Sequence, residues 1–434
     1  MVSELETEPV SRQPHAGDTP EDEMIRRPSD DEADALPLLP PSASRTPAPL
    51  PLAPLPKLAP APGVEARQRR RVVLFGVALL LVLLGSGAVA HLLFGVPAGM
   101  LLVVGVVITA LTFDFFNGMN DSGNAIATVI STRALPPFAA LIMAAILNLA
   151  GALLMEGVAK NIAGNIVLGA HASAAVTPLM VLCGLLGAIG WGYTMSRFGM
   201  PISMSHSLIG GVVGVLLIAG IRLNFHYLGG ICLWMVIAPV LGISLGWLLM
   251  VSIMWVFRRV SPYKMNHNFR FWQILSSACM AFMHGSNDAQ KAMGIITLAL
   301  VAGGVHVAKT SSGPEIPLWV KFACATVIAL GTGIGGRRII GTIGHKIFKL
   351  TPVHGFAAET AASGTILLAT LLNVPISTTH VISSAVLGVG SSKRLSAVRW
   401  GVAGNIISAW IFTIPTCGLA SALLYGVLHC FGFH

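Results

Sequence analysis

Acidic residues are nearly missing from most of this chain. Of its 18 Asp and Glu, 12 fall in residues 1–66, leaving six for residues 67–434: Asp114, Asp121, Glu156, Asp288, Glu315 and Glu359. Charged residues of both signs make up 10% of the 434 residues, against roughly 25% in soluble domains. An ordinary water-soluble globule is therefore excluded. Cysteine is sparse too: there are six, each alone in an apolar stretch with no CxxC pair, which argues against a disulfide framework or a zinc site. No GK[ST] follows the glycines at 331–336, so they do not form a nucleotide phosphate loop. The chain starts with Glu4, Glu6 and Glu8 instead of a basic segment, which fits neither a secretory signal nor a transit peptide.

What is present is apolar. Hydrophobic residues make up 54% of the chain, and mean hydropathy is +0.77. Residues 1–66 differ: they hold 14 of the 26 prolines at a net charge of −7, and are expected to form a disordered tail. The remaining 368 residues carry +16. That excess sits between apolar runs, as the positive-inside rule expects, so it is no nucleic-acid footprint. Apolar runs at 72–93, 98–116, 135–157, 176–195, 203–220, 230–257, 271–302, 316–335, 356–373, 376–390 and 400–430 give about eleven crossings of a ~30 Å hydrocarbon core. Runs this long exclude barrel strands, so the expected fold is an all-α multi-span membrane protein of about 11–12 helical segments. With a cytoplasmic N-terminus, the basic clusters at 67–71, 258–270, 337–349 and 393–399 all fall on the cytoplasmic side of a plasma (inner) membrane.

The chain also repeats itself weakly. Asn117-Gly-Met-Asn-Asp-Ser-Gly-Asn124-Ala aligns with His284-Gly-Ser-Asn-Asp-Ala-Gln-Lys291-Ala, and Pro201-Ile-Ser-Met-Ser-His206 aligns with Pro375-Ile-Ser-Thr-Thr-His380. The order is kept, and the spacing from Asp to Ser is 82 residues in one copy and 89 in the other. About five crossings separate the Asn-Asp segments, and an odd number turns the copies over. Inverted repeats with interrupted helices and a midplane site are the plan of many secondary transporters. The expected division is a tail at 1–66, a first span plus repeat 1 at 67–257, and repeat 2 with a terminal helix at 258–434. Asn120–Asn124 is poor in helix formers and is expected to interrupt its helix. Pro201 and Pro375 are expected to end one helix and open a short one.

Asp121 and Asp288 occupy matching positions deep in apolar surroundings, where a carboxylate costs ~3 kcal/mol on insertion scales. Helix N-termini and the hydroxyls of Ser203, Ser205, Ser377, Thr378 and Thr379 suit an oxyanion. Two carboxylates, Lys291 and a mono- or dianion sum to −2 or −3, which low dielectric does not tolerate unpaired. Cations must therefore enter with the anion. A P–OH group can donate to such a carboxylate, whereas sulfate has no proton to give.

These paired motifs, above all His284-Gly-Ser-Asn-Asp-Ala-Gln-Lys-Ala-Met-Gly294, resemble those of the inorganic phosphate transporter (PiT) family, and most of all its low-affinity bacterial branch. The resemblance spans roughly residues 98–430 and implies an inverted-repeat transporter that moves phosphate with a cation. It implies a substrate site of Asn120, Asp121, Asn124, Ser203 and Ser205 with Asn287, Asp288, Ser377, Thr378 and Thr379. Sodium-coupled members tend to carry Asn where this chain has Lys291, so the resemblance leans towards protons. An ammonium at Lys291 would oppose a sodium site and contact phosphate itself. Divalent-metal phosphate is a further cargo the branch suggests. No cofactor and no firm metal site is implied, and a homodimer stays open. The proline-rich tail and the short loop at 258–270 depart from eukaryotic members, which carry a large central insertion.

Asp121, Asp288, His206, His284 and His380 are the candidates for carrying the coupling charge, since His titrates near neutrality. Asp114 is read as a helix-end residue in preference to an acid supporting the site, and for Glu156 and Glu359, which fall near span ends, a structural or gating role and a binding role stay equally open. Gly210–Gly214 reads as a close-packing face. The alternatives are a sodium-coupled phosphate or sulfate symporter of the same fold and, from another class, an intramembrane aspartyl hydrolase using Asp121 and Asp288. Hydrolysis needs neither duplicated Pro-Ile-Ser segments nor Lys291, which argues against the second.

Overall fold

The computed structural model describes residues 97–167, 175–310 and 313–433, and the described residues belong to one unit that starts at Val73. The expected tail at 1–66, the basic cluster at 67–71 and the apolar run at 72–93 lie outside them. The architecture is all-α, with helices α1 (Ala98–Ser131), α2 (Pro137–Leu154), α3 (Gly157–Asn165), α4 (Pro178–Phe198), α5 (Met204–Ile218), α6 (Phe225–Val256) and α7 (Pro262–Ala302). A two-residue hairpin, β1 (Lys309–Thr310) with β2 (Gly313–Pro314), precedes α8 (Leu318–Ile334), α9 (Arg337–Gly341), α10 (Pro352–Leu371), α11 (Thr378–Lys393) and α12 (Trp400–Cys430).

Proline sets many of the starts. Pro137, Pro178, Pro262 and Pro352 each occupy the first turn of a helix, where the missing N–H has no partner to lose. Pro239 and Pro415 lie inside α6 and α12, as membrane helices tolerate. Five described helices are long and apolar enough to cross a bilayer: α1, α2, α4, α6 and α12. Their outer faces carry Phe138, Ile146, Phe198, Val236, Trp247, Ile411 and Phe412, a surface that only lipid would cover favourably. The long α7 and α10 carry buried polar residues, which lowers their hydropathy. Helices α5 and α11 have 15 and 16 residues, or about 22–24 Å, which is too short to cross.

One expectation is corrected. Asn120–Asn124 does not interrupt its helix: α1 runs unbroken from Ala98 to Ser131, and α7 is equally continuous through Asn287 and Asp288. Asn and Asp break helices when their side chains compete for nearby backbone groups. Here those side chains bond to other helices, and in lipid the backbone has no water to turn to. Within the repeated motifs the interruptions fall at the proline segments, and a further bend of 61° separates α8 from α9. Gly199 (φ +66°) ends α4, and Asn373 (φ +57°) follows α10; extended stretches then lead to Ser203 and Ser377.

Those two serines are local twins. Ser203 has φ −87°, ψ 111° and Ser377 has φ −92°, ψ 106°; each side chain accepts a bond from the N–H three residues on, His206 or His380. The packing is exchanged between the halves as well. Helix α5 packs on α12 and α11 packs on α6, while α1 packs on α8 and α7 on α2. The expected close-packing glycines are borne out: a Cβ on Gly214 would collide with the Gly418 carbonyl oxygen, and one on Gly211 with that of Gly184.

Candidate functional site

The two unbroken helices and the two broken segments converge. Asp121 comes from α1, His284, Asp288 and Lys291 from α7, Ser205 from the start of α5, and Thr378 and Thr379 from the start of α11. All of them are buried, Asp121 at 3% exposure and Asp288 at 1%. The helical period explains the α7 set: 284, 288 and 291 are spaced i, i+4, i+7 on one face.

The acids are bound from several sides. Thr379 Oγ1 donates to Asp121 Oδ1 at 3.1 Å, and Thr378 Oγ1 donates to Asp288 Oδ2 at 3.1 Å. Asn124 Nδ2 donates to Thr379 Oγ1 at 3.0 Å and reaches Thr378 Oγ1 at 3.4 Å, so α1 and α11 are laced together. The imidazole of His284 lies between the carboxylates, with Nε2 3.2 Å from Asp288 and 3.8 Å from Asp121. Its other nitrogen, Nδ1, meets Asn148 Oδ1 of α2 at 2.8 Å, which fixes the ring.

Lys291 is the structural hub. Its ammonium pairs with Asp288 and donates to Ser205 Oγ at 2.5 Å and to the Ile376 carbonyl at 2.7 Å. One side chain from α7 therefore ties together the extended segment before α11 and the first turn of α5. Ser205 Oγ also donates to the Ile376 carbonyl, at 3.2 Å. A crevice lined by Ile162, Ile166, Leu208 and Ile295 ends at Ser205 and Lys291.

The remaining sequence-predicted residues divide into supports and outliers. Asn287 donates to Thr370 Oγ1 at 3.0 Å and to the Val374 carbonyl at 3.3 Å, and accepts from the Ile376 N–H at 3.4 Å, holding the broken segment to α7. Asn120 accepts from Ser196 at 2.8 Å and faces the Met204 sulfur, so it joins α1 to α4 and α5. Ser203 and Ser377 serve as helix caps. The structure does not bring His206 and His380 to the acids. Their rings meet edge to face at 4.4 Å, and His380 stacks on Trp410 at 3.8 Å. Of the three histidines, only His284 touches a carboxylate.

Sequence reasoning missed a second polar cluster. Glu359 of α10 is not a span-end residue: it is fully buried and takes hydrogen bonds from Thr128 of α1 and Ser276 of α7. Ser276 also donates to the Gln273 carbonyl at 3.0 Å, and the Gln273 side chain accepts from Thr132 at 2.7 Å. Asp121, Asn124, Thr128 and Thr132 thus form one polar stripe on α1, which leads to a cavity of about 410 Å³ lined by Thr132, Arg133, His267 and Arg270. The signal was present, since Glu359 is one of six acids in the body and has apolar neighbours. Glu156 is paired with Lys160 at 2.5 Å and with Lys321.

Chemically, this is a buried cluster of hydroxyl donors, one ammonium and two acids. Groups of these types are the ones that bind a tetrahedral oxyanion bringing its own protons or cations. The cluster is poorly arranged for hydrolysis, because His284, not a shared proton, lies between the carboxylates.

Comparison with known proteins agrees with this chemistry. The profile of the phosphate transporter family matches residues 117–421, which contain every site residue named above. A probable low-affinity inorganic phosphate transporter of Bacillus subtilis is 41% identical over 332 residues, covering 76% of this chain and 98% of the relative. One from Rhizobium meliloti is 42% identical over 334 residues, covering 75% and 96%. Among solved structures, a sodium-dependent phosphate transporter superposes with a TM-score of 0.69 at 26% identity, covering 76% of this chain and 99% of that one.

Proposed function

The chain belongs to the phosphate transporter family, and from that premise we propose that it is a symporter that carries inorganic phosphate across the plasma membrane with protons. The observation that carries the reading is the seat of Lys291. Its ammonium occupies the junction of Asp288, Ser205 and the Ile376 carbonyl, a set of oxygens that a sodium ion would otherwise suit. A fixed positive charge there repels sodium and attracts phosphate. Phosphate then binds through Lys291 and the hydroxyls of Ser205, Thr378 and Thr379, and its own P–OH donates to Asp121 or Asp288. Asn120, Asn124, Asn287, Ser203 and Ser377 hold these groups in place. Protons offset the remaining negative charge.

The matched serine caps and the exchanged packing support two repeats of opposite orientation, at 67–257 and 258–434. The N-terminus is cytoplasmic, and the basic cavity at Arg133 and Arg270 is a cytoplasmic approach to the site.

A second reading is sodium coupling, favoured by the likeness to a sodium-dependent phosphate transporter. Divalent-metal phosphate is a third, since Asp121, His284 and Asp288 offer ligand atoms within 4.8 Å of one another. Uptake of labelled phosphate into proteoliposomes separates them. Proton coupling gives accumulation under an inward proton gradient without sodium and without divalent metal. Uptake that ignores the gradient and requires sodium overturns it.

A further inference from the structure

The site described above leaves one acid unused. Asp114 lies in the middle of α1, not at a helix end as its sequence position suggests. It is 0% exposed, and neither carboxyl oxygen has a hydrogen-bond partner of good geometry. One turn on, Asn117 is 1% exposed, and neither end of its amide has such a partner. Two adjacent, fully buried and unsatisfied polar side chains are costly, and an ionised carboxylate so placed would cost far more. Apart from each other, Asp114 and Asn117 have no hydrogen-bond partner, and such an isolated buried pair on one helix face marks a place that polar chemistry visits during the working cycle.

The surroundings say which chemistry. No cation pairs with Asp114 among the described residues. The titratable groups that act on it across the packing are His284, Asp288 and Lys291 of α7 and the Cys324 thiol of α8. On α4, the titratable side chain against this part of α1 is Tyr193, whose ring meets Phe116. On α1 itself, Asp121 stands seven residues further along the same face, about 10 Å away along the axis. Phe113 and Ala110 beside it are fully buried, so bulk water does not reach it in this arrangement.

We propose that Asp114, with Asn117, is a proton-binding station of the transport cycle, distinct from the phosphate site and coupled to it along α1. Asp114 takes up a proton when the bundle is open to one side of the membrane and is neutral when occluded as here. It releases that proton to water when the opposite side opens. The Asn117 amide is near enough to bond whichever form is present. Asp114 touches no group of the phosphate pocket, so its part is in coupling and not in holding the anion. This rests on the proton-symport reading above.

The test uses Asp114→Asn and Asp114→Glu in full-length protein in proteoliposomes. Phosphate–phosphate exchange at equal pH on both sides reports the anion site and the fold. Net accumulation under an inward proton gradient reports coupling. The expected result for Asp114→Asn is exchange within about twofold of wild type, with accumulation lowered at least about tenfold; Asp114→Glu restores accumulation. Infrared spectra of the wild type should show a protonated carboxylic-acid C=O band that Asp114→Asn lacks. Gradient-driven accumulation by Asp114→Asn equal to wild type overturns the proposal, as does absence of the band. Loss of exchange in both variants also overturns it, because Asp114 would then support the fold or the anion site. If the wild type itself ignores the proton gradient, the symport reading fails first and this proposal falls with it.

Discussion

At the scale of single residues, the site is an electrostatic balance built around one ammonium. Replacing Lys291 by Met leaves Asp288 buried with only neutral donors, Thr378 among them, and His284 beside it. Breaking a buried pair by removing one partner costs roughly 3–5 kcal/mol. Lys291→Met should therefore lose phosphate uptake and also melt at a lower temperature than wild type; a variant with unchanged melting and unchanged uptake would refute the assigned role. Thr379 is a gentler probe. Its hydroxyl donates to Asp121 and accepts from Asn124, so Thr379→Val removes two bonds without changing shape. A lost buried bond costs about 1–3 kcal/mol, or roughly 5–150-fold. KM for phosphate should rise within that range while the protein still folds, as read by uptake kinetics and thermal melting. By contrast, His206→Asn and His380→Asn should alter stability more than the pH dependence of uptake, since neither ring touches an acid.

At the scale of elements, the short helices α5 and α11 are held by their caps and by close backbone approach. Ser203→Ala and Ser377→Ala should each cost about 1 kcal/mol, the usual worth of an N-cap side chain. Equal losses in the two variants, measured by thermal or denaturant melting, would match the near-identical geometry of the two segments. Helix α5 is also pinned to α12 at Gly214, where any side chain meets the Gly418 backbone. Backbone cannot move aside as a flexible side chain can, so Gly214→Val should sharply reduce the yield of folded protein, as judged by size-exclusion chromatography in detergent. Gly99, with open space around it, is the control position.

At the scale of the whole molecule, the class of fold was legible because lipid imposes a strong rule on composition: long apolar runs and few charges. The convergence of Asp121 and Asp288 was legible because the motif recurs in order. The continuity of α1 through Asn120–Asn124 was not, since it depends on partners such as Thr379 and Ser196, 255 and 76 residues away from the Asn that each one meets. The full burial of Asp114 was hidden for the same reason, and that of Glu359 was hinted at only by its apolar neighbours. Span edges read from one chain do not reveal which helix covers them. The contact between Lys291 and the Ile376 carbonyl is likewise a tertiary fact, although the residue types hinted at its charge. The discrimination expected of the assembled pocket is also global: on the proposed reading, the acid that meets the anion needs a proton donor on it. Excess sulfate at neutral pH should therefore leave phosphate uptake unchanged, and strong competition by sulfate would contradict that selectivity.

The most direct measurement is a structure determined in saturating phosphate. Tetrahedral density is predicted between α1 and α7, within hydrogen-bonding distance of Lys291, Ser205, Thr378 and Thr379 and against one of the two aspartates. Phosphate found elsewhere, with the Lys291–Asp288 pair and its hydroxyl partners untouched, would contradict the account.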